Sequence, residues 1–314
     1  MLRVIPVFLF IIVAAAGAVL AQAQTMDPAF SIPAWIDKGK CTENPTFDPT
    51  LNGKPAKVKN ELAPTSDQVI LIVLDLTGDL SRIDEAKQAV VTSISNLPRN
   101  VWVGVLRAQD GLHVLADPTP DRQEVIDIIQ SLTSSGTPGL LETVRPTLTL
   151  ADSMIRKSPV RVSVLYITDG SIYRYREDYT DPVINPSDNH DLSRRFRGVL
   201  VNEKISKLER HISSLEAPLF VVHLHYRQNQ LDLAYQNGLD TLARDTGGET
   251  VICRSNAEIS QAVSHIFARI SDVWGLILSV PLKTHRELQV GLKASCGGQD
   301  VQLSWRPHFR PKEE

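Results

Sequence analysis

Apolar residues fall along this chain in two rhythms. Residues 69–74 (VILIVL) are an unbroken aliphatic run that stops at Asp75, as in a strand buried on both faces of a parallel sheet. Ile83, Ala86, Val90, Ile94 and Leu97 then recur at helical spacing over residues 82–97. Ser81 is placed to cap that helix, with Asp84 and Glu85 in its first turn. Residues 101–106 and 112–115 read as a hairpin around Gln109-Asp110-Gly111. Further helices are predicted over 121–132, 140–157, 192–215, 231–245 and 257–273, and strands over 160–167, 219–224 and 250–253. This alternation predicts an α/β fold with a doubly wound, mostly parallel sheet flanked by helices. Three short runs (276–280, 288–292, 301–305) separated by turn residues then predict a small antiparallel β appendage at the C-terminus.

The first residues follow neither rhythm. Arg3 precedes an apolar stretch over residues 5–20 and then Ala21-Gln22-Ala23. That is the layout of a secretory signal peptide over residues 1–23, cut near Ala21 or Ala23. The alternative, an uncleaved anchor, is disfavoured because a spanning helix needs roughly 20 apolar residues. No later segment is apolar enough to span a membrane, so the mature chain is expected to be secreted or periplasmic. Residues 24–66, rich in proline and polar residues, read as an extended N-terminal segment that leads into the domain or lies against it. The α/β domain then covers 67–273 and the appendage 274–314.

Composition adds little. Hydrophobic residues at 42% and charged residues at 22% are ordinary for a globular protein. A net charge of −3 with no basic run argues against a nucleic-acid partner. Three cysteines, Cys41, Cys253 and Cys296, allow at most one intramolecular bridge, and their spacing resembles no zinc site.

The chemistry gathers where strands end. Asp75, Thr77 and Asp79 surround Gly78 after the first buried strand, Thr137 lies in the loop 134–139, and Asp169 sits in the Thr168-Asp169-Gly170 turn. In open α/β sheets ligands bind at the carboxyl ends of strands, and oxygen ligands suit a hard cation. The order D-x-T-x-D, distant Thr, T-D-G resembles the metal-ion-dependent adhesion site of the von Willebrand factor type A (vWA) family. Leu242-Ala243-Arg244-Asp245-Thr246-Gly247-Gly248 is similar to that family's L-A-x-x-T-G-G. With the signal peptide and Ser304-Trp305-Arg306-Pro307, the chain most resembles the secreted VWFA-related proteins of acidobacteria.

The resemblance implies Asp75, Thr77, Asp79, Thr137 and Asp169 as ligands of a divalent cation, Mg²⁺ first, with Ca²⁺ or Mn²⁺ as alternatives. It further implies an exported, non-catalytic module that binds a protein or cell-envelope partner. Asp79 departs from the family, which has Ser there. A third carboxylate facing the ion would repel an acidic partner by about 4 kcal/mol at ~4 Å and an effective dielectric of about 20. Asp79 thus either supplies the ion with an internal ligand or has ended carboxylate capture; the alternative is a relic site, with Asp79 capping the following helix and Asp75 and Asp169 hydrogen-bonded to loop backbone. In the vWA fold, the first strand begins and the last helix ends at the face opposite the metal turn. Cys41 and Cys296, in the extensions attached there, are therefore expected to pair, leaving Cys253 free.

Tyr173, Arg174, Tyr175, Arg176 and Tyr179 follow the T-D-G turn, and Tyr and Arg dominate interface hot spots. They are expected to bind the partner; the alternative is a polar loop folded onto its neighbours. His223 and His225 share one face of a strand, with packing favoured over metal binding for want of a third ligand. H-E-x-x-H, G-x-S-x-G and G-x-x-x-x-G-K-[ST] are absent. A nucleophilic Asp75 would want a second Asp where Leu76 stands. A metal-free scaffold in an envelope assembly, and more weakly a metal-assisted hydrolase, are the alternatives to a binding module.

Overall fold

The computed structural model describes residues 29–37, 41, 44–180, 198–280 and 287–311. The expected signal peptide lies outside them, as do residues 192–197 of the expected helix 192–215. The N-terminal segment is extended chain that is paired into sheets rather than a bare lead-in. It forms four strands, β1 (Ala29–Ile36), β2 (Thr46–Leu51), β3 (Lys54–Pro55) and β4 (Val58–Leu62).

The α/β unit follows: β5 (Gln68–Asp75), α1 (Leu80–Ser95), β6 (Val101–Arg107), β7 (His113–Thr119), α2 (Arg122–Ser131) and α3 (Leu140–Lys157). Then come β8 (Arg161–Thr168), α4 (Val199–Ile212), β9 (Leu219–His223), α5 (Gln230–Asp245), β10 (Thr250–Ile252) and α6 (Ile259–Ser271). The sheet order is β10-β9-β8-β5-β6-β7. Every pairing in it is parallel except the β6–β7 hairpin. Strand β5 feeds both faces: Ile70, Ile72 and Leu74 enter one core with α1, α2 and α6, while Leu71 and Val73 enter the other with α3, α4 and α5. Each such buried aliphatic side chain contributes roughly 1.5–3 kcal/mol. The expected doubly wound layout is the one observed.

The chain closes with β11 (Trp274–Ser279), β12 (Leu288–Cys296), β13 (Gln299–Asp300), β14 (Leu303–Trp305) and β15 (His308–Phe309). These strands do not form an appendage alone. They interleave with the N-terminal strands into two antiparallel sheets, β14-β1-β11-β4 and β13-β12-β2-β3, with β15 also pairing β12. Phe30, Ile32, Phe47, Leu276, Val290 and Leu292 fill the core between the sheets. Phe309 stacks on Phe30 with ring centroids 4.2 Å apart. Cys41 and Cys296 form the expected disulfide, with Cα atoms 5.5 Å apart. Cys253 is free and buried, and burial pushes its thiol up to about 11.

Two buried arginines fix this sandwich to the base of the α/β unit. Arg161, at the start of β8, donates to the carbonyls of Pro64 (2.7 Å) and Ser66 (2.8 Å) on the way in and of Val273 (3.0 Å) on the way out. Arg306 donates to the carbonyls of Ser213 (2.7 Å), Leu215 and His308 (2.9 Å). Trp35 adds an indole N–H to the Arg269 carbonyl at 2.7 Å. The sandwich is therefore anchored at the face opposite the carboxyl ends of the parallel strands, which leaves those ends open.

Candidate metal centre

Helix α1 carries the chain from β5 to β6 on one side, while β8 pairs with β5 on the other. The gap between the carboxyl ends of β5 and β8 is thus a topological switch point, where such sheets bind ligands. Register sets Asp75 beside Thr168. The two Asp75 oxygens accept from Gly139 N–H and Thr168 O–H, both at 2.9 Å. Across the gap, Asp169 Oδ1 accepts from the Thr77 N–H at 2.7 Å and the Thr77 hydroxyl at 3.3 Å. Asp169 Oδ2 is buried with no hydrogen-bond partner. A Cβ on Gly78 would collide with that oxygen, so only glycine lets the turn close over it. Asp75, Thr77 and Asp169 therefore share one cup.

The other two expected ligands turn away. Asp79 is the N-cap of α1, a role the expected cap Ser81 does not take, and it accepts from the Ser81 N–H (3.0 Å) and hydroxyl (2.8 Å). Its exposed carboxyl, held below the usual range chiefly by the Ser81 hydroxyl, faces Arg82 at 3.6 Å. Capping an otherwise orphaned helix N–H outweighs a third carboxylate in the cup. Thr137 gives its hydroxyl (2.8 Å) and N–H (3.2 Å) to Asp110 Oδ1. Its carbonyl accepts from the Asp110 N–H.

Beneath the cup lies a neutral polar floor. Tyr235 and Tyr175 share a hydrogen bond at 2.8 Å, and Tyr166 bonds the hydroxyls of Thr143 (3.0 Å) and Thr147 (2.9 Å). His223 Nδ1 accepts from the His225 N–H at 3.2 Å, so Nε2 carries the proton toward the Gly170 carbonyl at 2.9 Å. Burial lowers this imidazole to about 4, fixing it neutral, as packing of that histidine requires.

Burial pushes the Asp75 carboxyl up to about 7, against the pull of Gly139 and Thr168 and with a further push from Asp169. In the unfolded chain the same group titrates near 3.9. Between those values the unfolded state sheds its proton while the native state keeps it. The group's contribution is full below about pH 4 and is lost as pH rises to about 7. The melting temperature of Asp75→Asn relative to wild type, taken in chelator from pH 4 to 7, should rise by several degrees across that window. A constant offset would contradict this assignment.

The Tyr/Arg loop divides. Tyr175 and Tyr179 were expected to meet a partner but are buried in the core around α3–α5. The single Tyr179 O–H lies between Glu142 (2.6 Å) and Glu177 (2.8 Å), and the Tyr175 hydroxyl bonds Tyr235, which leaves neither ring available to a partner. Tyr173 remains 54% exposed, and Leu80, the first residue of α1, is 63% exposed. Arg174 donates to the Thr77 carbonyl at 2.5 Å, and Arg176 pairs with Asp110 at 3.1 Å.

Among the described residues, no group of three or more His, Cys, Asp or Glu side chains is placed to hold a metal ion. The cup offers two carboxylates and a threonine hydroxyl, a donor set that fits a hydrated hard cation such as Mg²⁺, which keeps several waters. With Asp79 outside, two carboxyl groups rather than three face the site. The partnerless Asp169 oxygen is the group a cation would satisfy. Sequence reasoning missed three contributors: Thr168, inside the T-D-G turn; Gly139, which acts only through its backbone; and Asp110, read as a hairpin turn residue.

The von Willebrand factor type A domain family matches residues 70–171. No curated protein matches the chain. Among solved structures, the chain is similar to a von Willebrand factor type A protein from Catenulispora acidiphila, at 13% identity over 89% of this chain and 76% of that one, TM-score 0.47. It is also similar to the PilB minor pilin from Streptococcus sanguinis, at 13% identity over 69% and 63%, TM-score 0.48. A third similarity is to the vWF domain of the type V pili tip protein Mfa5 from Porphyromonas gingivalis, at 14% identity over 65% and 95%, TM-score 0.43. At these identities the likeness is one of fold alone.

Proposed function

We propose that this chain, whose residues 70–171 match the von Willebrand factor type A domain, is an exported, non-catalytic binding module. It engages a protein or cell-envelope partner through a divalent cation held by Asp75, Thr77 and Asp169. The observation that carries the reading is the buried, unpartnered Asp169 Oδ2 beside the Thr77 hydroxyl at the switch point of the sheet. A buried carboxylate oxygen left without a donor costs about 1–3 kcal/mol or more, and a hard cation removes that cost. Leu80 and Tyr173 supply apolar area at the rim for a partner. No helix among the described residues is long and apolar enough to cross a membrane. Export rests on the signal peptide read in residues 1–23.

Calorimetric titration of Mg²⁺, Mn²⁺ and Ca²⁺ tests the cation. Wild type is expected to bind at least one of them, and Asp169→Asn none. Asp79→Ser, altering a side chain outside the cup, should stay within about threefold of wild type, or ~0.7 kcal/mol. Capture of partners from envelope extracts should fail in chelator. The second reading is a metal-free scaffold in an envelope assembly. It is favoured by the internal partners of Asp79 and Thr137, and it predicts capture indifferent to chelation.

A further inference from the structure

We propose that the turn over residues 171–176, directly after β8, is an internal competitor for the cation, a strap whose two arginines hold the centre closed until a divalent ion displaces them. The inference rests on the cation reading above.

The first arm is Arg174. Its Nη2 is bonded to the Thr77 carbonyl. Its Nη1 lies 3.0 Å from the point a Gly78 Cβ would occupy, the point over which Asp169 Oδ2 also sits. A guanidinium and the orphan carboxylate oxygen thus flank a single glycine. With no metal present, Arg174 supplies positive charge to a cup holding Asp75 and Asp169. A divalent cation entering the cup is repelled by it, so the arginine has to swing out. It can do so, because the residue is exposed and is anchored by one carbonyl.

The second arm is Arg176. It reaches Asp110 Oδ1 at 3.1 Å, the same oxygen that takes both the hydroxyl and the N–H of Thr137. The contact is built into the backbone: Asp110 has φ +56° and Gly136 φ +104°. A Cβ on Gly136 would strike the Asp110 carboxylate. Two neighbouring loops thus adopt left-handed conformations, tolerated by Asp and natural for Gly, and in doing so bring Asp110 onto Thr137. Thr137 is two residues from Gly139, whose N–H touches Asp75, so its hydroxyl is withheld next to the centre it would complete. Arg174 and Arg176 are carried by one short turn, which makes their release a coupled event.

A centre closed in this way binds its ion with an affinity reduced by the fraction of open molecules. Mn²⁺ titrated calorimetrically into the full chain tests this. Arg174→Gln should bind at least ~tenfold tighter than wild type, and Asp110→Gly, which keeps the left-handed backbone, ~threefold or more. The Asp110→Gly gain should vanish in Asp110→Gly/Thr137→Val. Independently of any variant, Mn²⁺ should speed hydrogen exchange at the Thr137 amide of wild type, because Asp110 no longer accepts from it. If both single variants bind like wild type, and Asp169→Asn abolishes binding, the cation stands and the strap is overturned. If neither wild type nor the released variants bind Mn²⁺, the cation reading falls and takes the strap with it.

Discussion

Arg306→Met should lower the unfolding free energy by about 3–5 kcal/mol, the cost of removing one member of a buried charged network. Arg306 is 1% exposed. Burial pulls its guanidinium down to about 10, opposed by Asp245, Glu216 and Asp152, so it stays charged at neutral pH. Its N–H groups serve the carbonyls of Ser213 and Leu215, where α4 ends and leaves acceptors without helical partners. A third N–H, on Nε, returns to the His308 carbonyl in its own segment. Methionine fills much of the volume but supplies no donor, so the Leu215 carbonyl loses its side-chain donor, the Ser213 carbonyl keeps only the Arg310 N–H, and a buried positive charge near Asp245, Glu216 and Asp152 is removed. Arg306→Lys should recover little, since one ammonium cannot serve acceptors on several sides of a planar fork. Urea unfolding with unchanged m-value measures the effect. A loss under about 1 kcal/mol would show that the network is replaceable by simple packing.

Removing the Cys41–Cys296 bridge has a comparable expected cost. The cysteines are 255 residues apart, and a loop of that size puts the stabilisation at about 5.5 kcal/mol on the chain-entropy model, at the top of the usual range. The bridge also pins the segment before β2 to the end of β12, at one margin of the sandwich core. The double variant Cys41→Ser/Cys296→Ser, unfolded by urea beside wild type, should lose about 3–5 kcal/mol. The native protein should resist thiol alkylation until denatured, because Cys253 is buried with a raised thiol. Equal stability with and without the bridge would mean that the interleaved strands already impose the same restraint on the ends.

The α/β unit was legible because its residues keep time. The run 69–74 and the helical spacing from Ile83 to Leu97 each report burial by period alone, and the observed elements follow them within one or two residues. The sandwich was not legible for the converse reason. Strand β1 contains Pro33 and β2 contains Pro49, and proline ordinarily demotes a strand. Their partners come from the far end of the chain, so no local pattern announces the pairing. At the site, the family pattern located Asp75, Thr77 and Asp169, but residue type alone could not say where Asp79 and Thr137 point. That choice was made by local hydrogen bonding: a helix start needing a cap, and Asp110 offering Thr137 an acceptor. Tyr175 and Tyr179 failed as surface residues because their hydroxyls find partners inside.

The placement of β1 between β11 and β14 dictates an order of events during biosynthesis. The first strands emerge from the ribosome long before the strands that flank them, and they must wait with bare edges while the α/β unit is made. Such late, distant pairing slows folding and exposes the waiting strands to association. In an oxidising compartment Cys253 also arrives before Cys296, so Cys41 meets the wrong thiol first. Burial of Cys253, directly after β10, in the core with α1 and α6 closes that route once the central sheet has formed. A mispaired Cys41–Cys253 species is therefore the expected kinetic trap of this chain, most populated when the central unit is slow to consolidate.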